Sequence, residues 1–406
     1  MPSQTWPVRL SRLALFAPII WLSGALLVML ITGLQRRNMD QTRGRRIFFS
    51  GLSIFGLILC GLLFYRIALD HAILVNTDVT TADQRSYLGI IKQVHETGFR
   101  SAGDFNRMPL YPYIQALFYH TDMPTADQFM LAKRVNIWLS LGLLAGLLAL
   151  FLRHLKIGRA SLLLVIIAFN VFVFYAGYVK VELLYYFLSF TTFLGLLVLL
   201  RRPDFKTSLL TGLSAGLAYL SKASILPGIG LFLGLYSIQQ ISIARKDFGN
   251  RQEIETGTAR TATRKHTLKR FAYLLVLLLT FLAVIYPYIR VVEQRFGSYF
   301  YNVNTSIIMW FDDFKQGKDF AVKYGYWQGS PTPPPESEQP GLSRYLQTHS
   351  AAEIATRALI RLRSQLWNLF YTYGYSNYVV SYLLILVMMA LADWRTAWEV
   401  IRSRPY

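Results

Sequence analysis

Long apolar runs, separated by short basic connections, dominate this chain of 406 residues. Runs at 13–34, 47–69, 136–152, 160–177, 183–200, 208–221, 224–242, 271–289 and 377–392 approach or reach the roughly 20 residues needed to cross about 30 Å of hydrocarbon. They are continuous rather than alternating. In lipid, helices and closed barrels alone satisfy their own backbone, so the pattern predicts helices. The expected fold is all-α, a polytopic transmembrane helical bundle of about nine spans. The first run follows Arg9 and Arg12 as a signal peptide would. It lacks a clean small-x-small cleavage site and leads at once into an Arg-rich loop and a second span, so it is read as retained. The 208–221 run is short and carries Gly212 and Gly216, which predicts a tilted helix or a tight hairpin with 224–242.

The polar segments orient this bundle. Connections 35–46, 153–159, 201–207 and 243–270 are basic, as is the tail with Arg395, Arg402 and Arg404. With alternating spans all of them fall on one face, as expected of a cytoplasmic side. The opposite, outer face receives loop 70–135, the turns near 178–182 and 222, and loop 290–376. Within the first loop, Tyr87, Ile90, Ile91 and Val94 recur at helical spacing, which predicts an amphipathic juxtamembrane helix over 84–97. A second is expected from Tyr111 to Tyr119. The later loop contains the extended linker Ser330-Pro331-Thr332-Pro333-Pro334-Pro335 and an amphipathic stretch from Ala351 to Phe370. The chain thus reads as one membrane domain over 1–406, with two outer loops folded over it.

Composition agrees: 53% of residues are hydrophobic, 16% are charged and the mean hydropathy is +0.34. Much of the net charge of +20 is the orientation signal. No basic soluble domain accompanies it, so nucleic acid is not an expected partner. The single Cys60 rules out a disulfide framework. Orientation does not explain the outer-face cations Arg85, Lys92, Arg100, Arg107, Lys180, Lys222, Arg290 and Arg295. Taken singly they are snorkelling or solvated side chains; as a set at helix ends they point to an anionic, lipid-linked ligand. The first outer loop also carries Asp78 and Asp83, carboxylates that lipid would not tolerate. Asp83 can equally be the N-cap of the 84–97 helix. Asp104 and the Asp312-Asp313 pair read as loop carboxylates, although a pair can bind a metal. Glu182 can be a helix-dipole cap. His71, His95 and His120 share no ligand spacing, so no zinc site is expected.

Several motifs together resemble a family. Asp83-Gln84-Arg85-Ser86-Tyr87 follows an early span, Arg107-Met108-Pro109-Leu110-Tyr111-Pro112 follows the amphipathic helix, and a Gly-rich hairpin ends in Leu220-Ser221-Lys222. Over roughly residues 47–295 this order is similar to the GT-C superfamily of integral membrane glycosyltransferases. The similar branch is that of protein O-mannosyltransferases and the aminoarabinose transferase of lipid A. The resemblance implies a sugar donor on a polyprenyl phosphate and transfer on the periplasmic or lumenal side, most simply at a bacterial inner membrane. The acceptor would be a glycan, lipid or protein. The family's Asp-Glu-x-x-Tyr matches Asp83 and Tyr87 but has Gln84 in place of Glu, and makes Asp83 the catalytic residue. Its Lys-Pro-Pro-Leu matches Arg107-Met108-Pro109-Leu110, with Arg keeping the phosphate-binding charge. Lys222 matches a donor-binding Lys, and Glu182 matches an acidic residue at the next outer turn.

The residue types suit the chemistry on their own account. Hydroxyl attack on an anomeric carbon uses a carboxylate as general base, or to stabilise oxocarbenium character. The departing polyprenyl phosphate is stabilised by positioned cations. Lys180 and Arg290, outer-face charges at helix ends, are further phosphate-binding candidates; the abundant aromatic residues read mostly as an interface belt, although Tyr87, Tyr111 or Tyr113 can stack on a sugar. No cofactor is required; the family's divalent metal has no ligand set that the match locates here. The competing class is a transporter or flippase of an anionic or lipid-linked substrate. That class carries ionisable groups near the bilayer midplane, often in inverted repeats, whereas these span interiors are nearly free of charge and show no repeat in hydropathy.

Overall fold

The computed structural model describes residues 43–249, 257–327 and 329–371. All regular structure among them is helical. Among the described residues five helices are long and apolar enough to cross a bilayer, which marks the chain as membrane-associated. They lie in α1 (Arg43–Leu74), α4 (Thr125–Leu152), α5 (Ile157–Ala176), α6 (Glu182–Arg201) and α9 (Gly257–Phe296). Between α1 and α4 come α2 (Gln84–Glu96) and α3 (Leu110–Ala116). Helices α7 (Phe205–Ser221) and α8 (Leu226–Gly249) follow α6. Leu52, Phe55, Ile58, Leu59 and Leu62 of α1 are exposed, an apolar surface that suits lipid and not water.

Seven of the nine expected runs coincide with helices, but the span count does not follow from them. The 208–221 run forms α7, which at 17 residues rises about 25 Å, and the apolar part of α8, Ala223–Gln239, is likewise short. The runs at 13–34 and 377–392 lie outside the described residues.

Helix α7 is set by its cap and its glycines. Asp204 Oδ1 accepts from the Thr207 backbone N–H at 2.9 Å and Oδ2 from the Thr207 hydroxyl at 2.6 Å, satisfying the first turn. Gly212 and Gly216, one turn apart, bring α7 against α9. A Cβ on Gly212 would lie 2.5 Å from the Leu277 carbonyl oxygen, and one on Gly216 would lie 2.7 Å from the Val284 side chain. The small residues thus allow the close helix approach common in membranes, and they serve α9 rather than a hairpin with α8.

By contacts the chain divides into two compact units. Among the described residues the first comprises those up to Met309 with Asp313–Pro333, and the second comprises Trp310–Asp312 with residues 334–371. In the first, Asp313 caps α10 (Phe314–Lys323), accepting from the Gln316 N–H at 2.9 Å. The second contains α11 (Leu342–Thr348) and α12 (Ala351–Tyr371). Its Asp312 carboxylate lies 3.2 Å from His349 Nε2 and 3.3 Å from Arg357.

Buried side chains tie the helix ends of the first unit together. Lys133 of α4 donates to the carbonyls of Ala72 (2.6 Å) and Asn76 (2.9 Å) at the C-terminal end of α1. There the unpaired carbonyls and the helix dipole offset its charge, and Phe129 packs 4.1 Å from the ammonium. Asn136, one turn along α4, donates to the carbonyls of Tyr175 and Ala176 at the end of α5.

Gly212→Ala should destabilise the protein by about 1–3 kcal/mol, the range for forcing a methyl into a packed interface. Gly142→Ala, with nothing within 4 Å of the added carbon, should be neutral or stabilising by about 0.5–1 kcal/mol. Thermal unfolding of both variants in one detergent checks this; equal melting temperatures would contradict the close α7–α9 packing.

Candidate functional site

The chain leaving α1 turns back over the helix ends and is pinned there by amides. Gln84 is fully buried. Its Nε2 donates to Asn76 Oδ1 at 2.8 Å, and its Oε1 accepts from Asn76 Nδ2 at 2.8 Å and from the Val179 N–H at 2.9 Å. Asn76 Nδ2 also donates to the Gly177 carbonyl at 2.8 Å. Gln84 is therefore a strut between the first loop and the α5–α6 turn. Helix α2 then buries Tyr87, Ile90, Ile91 and Val94, the expected stripe.

This strut fixes Asp83, the residue before it. Ala82 takes a left-handed conformation (φ 56°), unfavourable for a residue with a Cβ, and so turns the chain into α2. Asp83 holds the N-cap position, but its side chain makes no capping hydrogen bond. Instead Asp83 Oδ1 accepts from an Arg107 terminal nitrogen at 2.7 Å, while the other terminal nitrogen donates to Asp104 Oδ2 at 3.0 Å. Asp104 Oδ1 accepts from the backbone N–H groups of Asn106 and Arg107, both at 3.0 Å. One guanidinium thus joins two carboxylates. Exposure separates their roles: the side chain of Arg107 is 15% exposed, that of Asp104 28% and that of Asp83 65%. Burial alone would weaken the Arg107 charge, but the Asp83 hydrogen bond and the two carboxylates outweigh it and hold the guanidinium pKa above its usual value.

Below the ion pair, the Tyr87 ring packs edge-on against Tyr111 with centroids 5.3 Å apart, and the Arg107 guanidinium lies 5.6 Å from the Tyr87 ring. Burial, and next the nearby Glu182 carboxylate, push the Tyr87 hydroxyl up, so it stays a neutral donor. Tyr111 is fully enclosed, and its hydroxyl accepts from Gln115 Nε2 at 3.0 Å; it packs the site rather than stacking on a ligand. Glu182 is the first residue of α6, and its buried Oε2 has no hydrogen-bond partner among the described residues. Lys180 is half-buried with its ammonium 5.2 Å from the Tyr178 ring, and the exposed Lys222 lies 5.8 Å from the Tyr185 ring, one turn after Glu182. Arg290 is exposed on α9 and makes no ion pair with these carboxylates.

Sequence reasoning set Asp104 aside as a loop carboxylate, although an Asp can close an Asx-turn on the N–H two residues on, as Asp104 does with Asn106. It also missed Lys133, because the expected span began at 136. Asp78, the competitor of Asp83, is exposed and accepts from the Thr80 N–H and hydroxyl at 2.8 Å, which lowers its carboxyl pKa. Among the described residues no group of three or more His, Cys, Asp or Glu is arranged to hold a metal ion.

Chemically, the arrangement presents a carboxylate tethered through Oδ1. Its Oδ2 accepts no hydrogen bond among the described residues, so one oxygen is held still and the other faces outward. No protein-family model matches the chain, and neither a curated protein nor a solved structure is significantly similar to it.

Gln84→Leu keeps the bulk but leaves Asn76 Oδ1 and the Val179 N–H unpaired, at about 1–3 kcal/mol for each buried group. It should melt well below wild type. Gln93→Leu, on the exposed face of the same helix, should not. An unchanged melting temperature for Gln84→Leu would contradict the strut.

Proposed function

We propose that this chain is a membrane glycosyltransferase of the GT-C kind, moving a sugar from a polyprenyl-phosphate donor to an acceptor hydroxyl on the periplasmic or lumenal side. The observation that carries this reading is the outward-facing Asp83 carboxylate, held by Arg107 at the ends of apolar helices. A lipid-borne anomeric carbon would be presented at that level. Asp83 takes the proton from the attacking hydroxyl, the new glycosidic bond forms as the bond to the phosphate oxygen breaks, and the polyprenyl phosphate leaves as an anion.

The two terminal nitrogens of Arg107 already serve carboxylates. We assign Arg107 the role of orienting Asp83, and give the donor phosphate to Lys222 and Lys180, which form no ion pair among the described residues. The transporter reading is less well supported. Lys133, a charge buried among the described helices, is bound to backbone carbonyls, so we read it as a structural cap and not a step on a path.

Asp83→Asn should lower the transfer rate 10²- to 10⁴-fold, the usual loss for a general base, about 3–5 kcal/mol of barrier. Asp78→Asn should stay close to wild type. Lys222→Ala should raise the donor KM about tenfold or more, in keeping with a lost charge-assisted hydrogen bond. The assay is transfer from radiolabelled polyprenyl-phosphate sugars by purified, folded variants. Near-wild-type turnover by Asp83→Asn would overturn the reading.

A further inference from the structure

Helix α12 is turned the wrong way round for a protein in water. Ser350 and Glu353 start it as a capping box. The Glu353 carboxylate accepts from the Ser350 N–H at 2.8 Å, and the Ser350 hydroxyl accepts from the Glu353 N–H at 3.3 Å. Beyond that turn Ala355, Leu359, Leu362 and Leu366 recur at helical spacing, so they form one apolar stripe. In water such a stripe faces the helix's own core.

Here the polar face is the packed one. Arg357 donates to the Tyr345 hydroxyl at 2.8 Å, to the Phe311 carbonyl and to the Asp312 carboxylate. Arg361, one turn on, donates to the Asp312 carbonyl at 3.1 Å. Together these bonds latch the arginine face of α12 onto its own unit. The leucines are left outside. Leu359, Leu362 and Leu366 are 66%, 56% and 48% exposed, and Leu342 and Leu346, one turn apart on α11, are exposed as well. Apolar surface left out in this way marks an interaction site.

We infer that α12 is an interfacial helix whose leucine face docks on a lipid surface carrying anionic headgroups. Its chemistry chooses lipid over protein. The stripe is aliphatic throughout, without the Trp, Tyr or Arg anchors that dominate protein–protein contacts. After Glu353 the helix carries Arg357, Arg361 and Arg363 and no acidic residue. Arg363, next to Leu362 in the chain, is exposed and forms no ion pair among the described residues. Leucines on one side with arginines beside them are what an in-plane helix needs, the first entering the acyl boundary and the second meeting headgroup phosphates. A bilayer is at hand, because five helices of the chain are long and apolar enough to cross one. The Asp312 latch supplies the orientation by fixing which face of α12 turns outward. This docking surface is separate from the Asp83 site and does not depend on the transferase reading.

The test uses the full-length chain in nanodiscs, with Cys60→Ala removing the native thiol. Leu362→Cys, or Ser364→Cys on the opposite side of the helix, carries a nitrobenzoxadiazole probe. The lipid is phosphatidylcholine with or without phosphatidylglycerol, plus a lipid spin-labelled just below the headgroup. Seated about 5–10 Å into the headgroup boundary, the probe at Leu362→Cys should be quenched by the spin label, and that at Ser364→Cys should not. Adding Arg363→Glu, or omitting phosphatidylglycerol, should lower the ratio of docked to undocked helix about fivefold or more. Leu359→Cys repeats the reading on the same face should Leu362→Cys misfold. Quenching at both positions, or at neither, would overturn the inference. A probe at Leu362→Cys shielded from water yet unquenched would also overturn it, showing the face covered by residues 372–406 or by a second copy of the chain. Quenching indifferent to both phosphatidylglycerol and Arg363→Glu would overturn the anionic partner.

Discussion

A bilayer offers no water to a backbone amide, and the architecture follows from that. Inside each helix the requirement is met automatically; at the ends it is not. Here Lys133 closes the end of α1, Asn136 closes the end of α5, and the Asn76–Gln84 pair closes the turn that follows. These side chains belong to different segments, so satisfying the ends also joins α1, α4, α5 and the first loop. The charge on Lys133 is tolerable because its partners are carbonyls at the negative end of a helix dipole. Removing it would leave those carbonyls unpaired as well as the fold unpinned.

On that base the loop holds an exposed carboxylate in one orientation. Asp83 sits directly before the buried Gln84 and directly after the left-handed Ala82, so its backbone has little freedom. Arg107 completes the constraint from 24 residues away in sequence. A surface ion pair would contribute little, but Arg107 is mostly buried and doubly paired, the setting in which charge-assisted hydrogen bonds are strong and geometrically selective. Phe105, wedged against the end of α9, anchors the arm that carries Arg107. The left-handed residues Ala82 and Phe105 lie close in sequence to Asp83 and Arg107, and such strain persists only where the surrounding structure enforces it.

Much of this was legible in the sequence, and what was not has a common cause. The apolar runs and the Tyr87, Ile90, Ile91, Val94 stripe depend on local periodicity, which one sequence displays. Asp83 and Arg107 were legible as a chemical pair of types but not as a contact. Arg107 read as a phosphate ligand; that its two terminal nitrogens also meet the carboxylates of Asp83 and Asp104 is a contact that folding creates. Gln84 looked like a departure from a motif because its partners, Asn76 and Val179, are set by folding. The number of spans was the least legible feature, since hydropathy does not distinguish a spanning helix from a shorter one such as α7.

The account turns on Arg107 acting through Asp83 rather than on the donor. A double-mutant cycle in transfer rate separates the two: Asp83→Asn, Arg107→Met and the double variant, each verified as folded. If Arg107 orients Asp83, the double variant should be no slower than Asp83→Asn alone, because a lost base no longer needs positioning. If the two losses instead multiply, Arg107 acts independently on the leaving phosphate, and the carboxylate clamp is not the basis of the site.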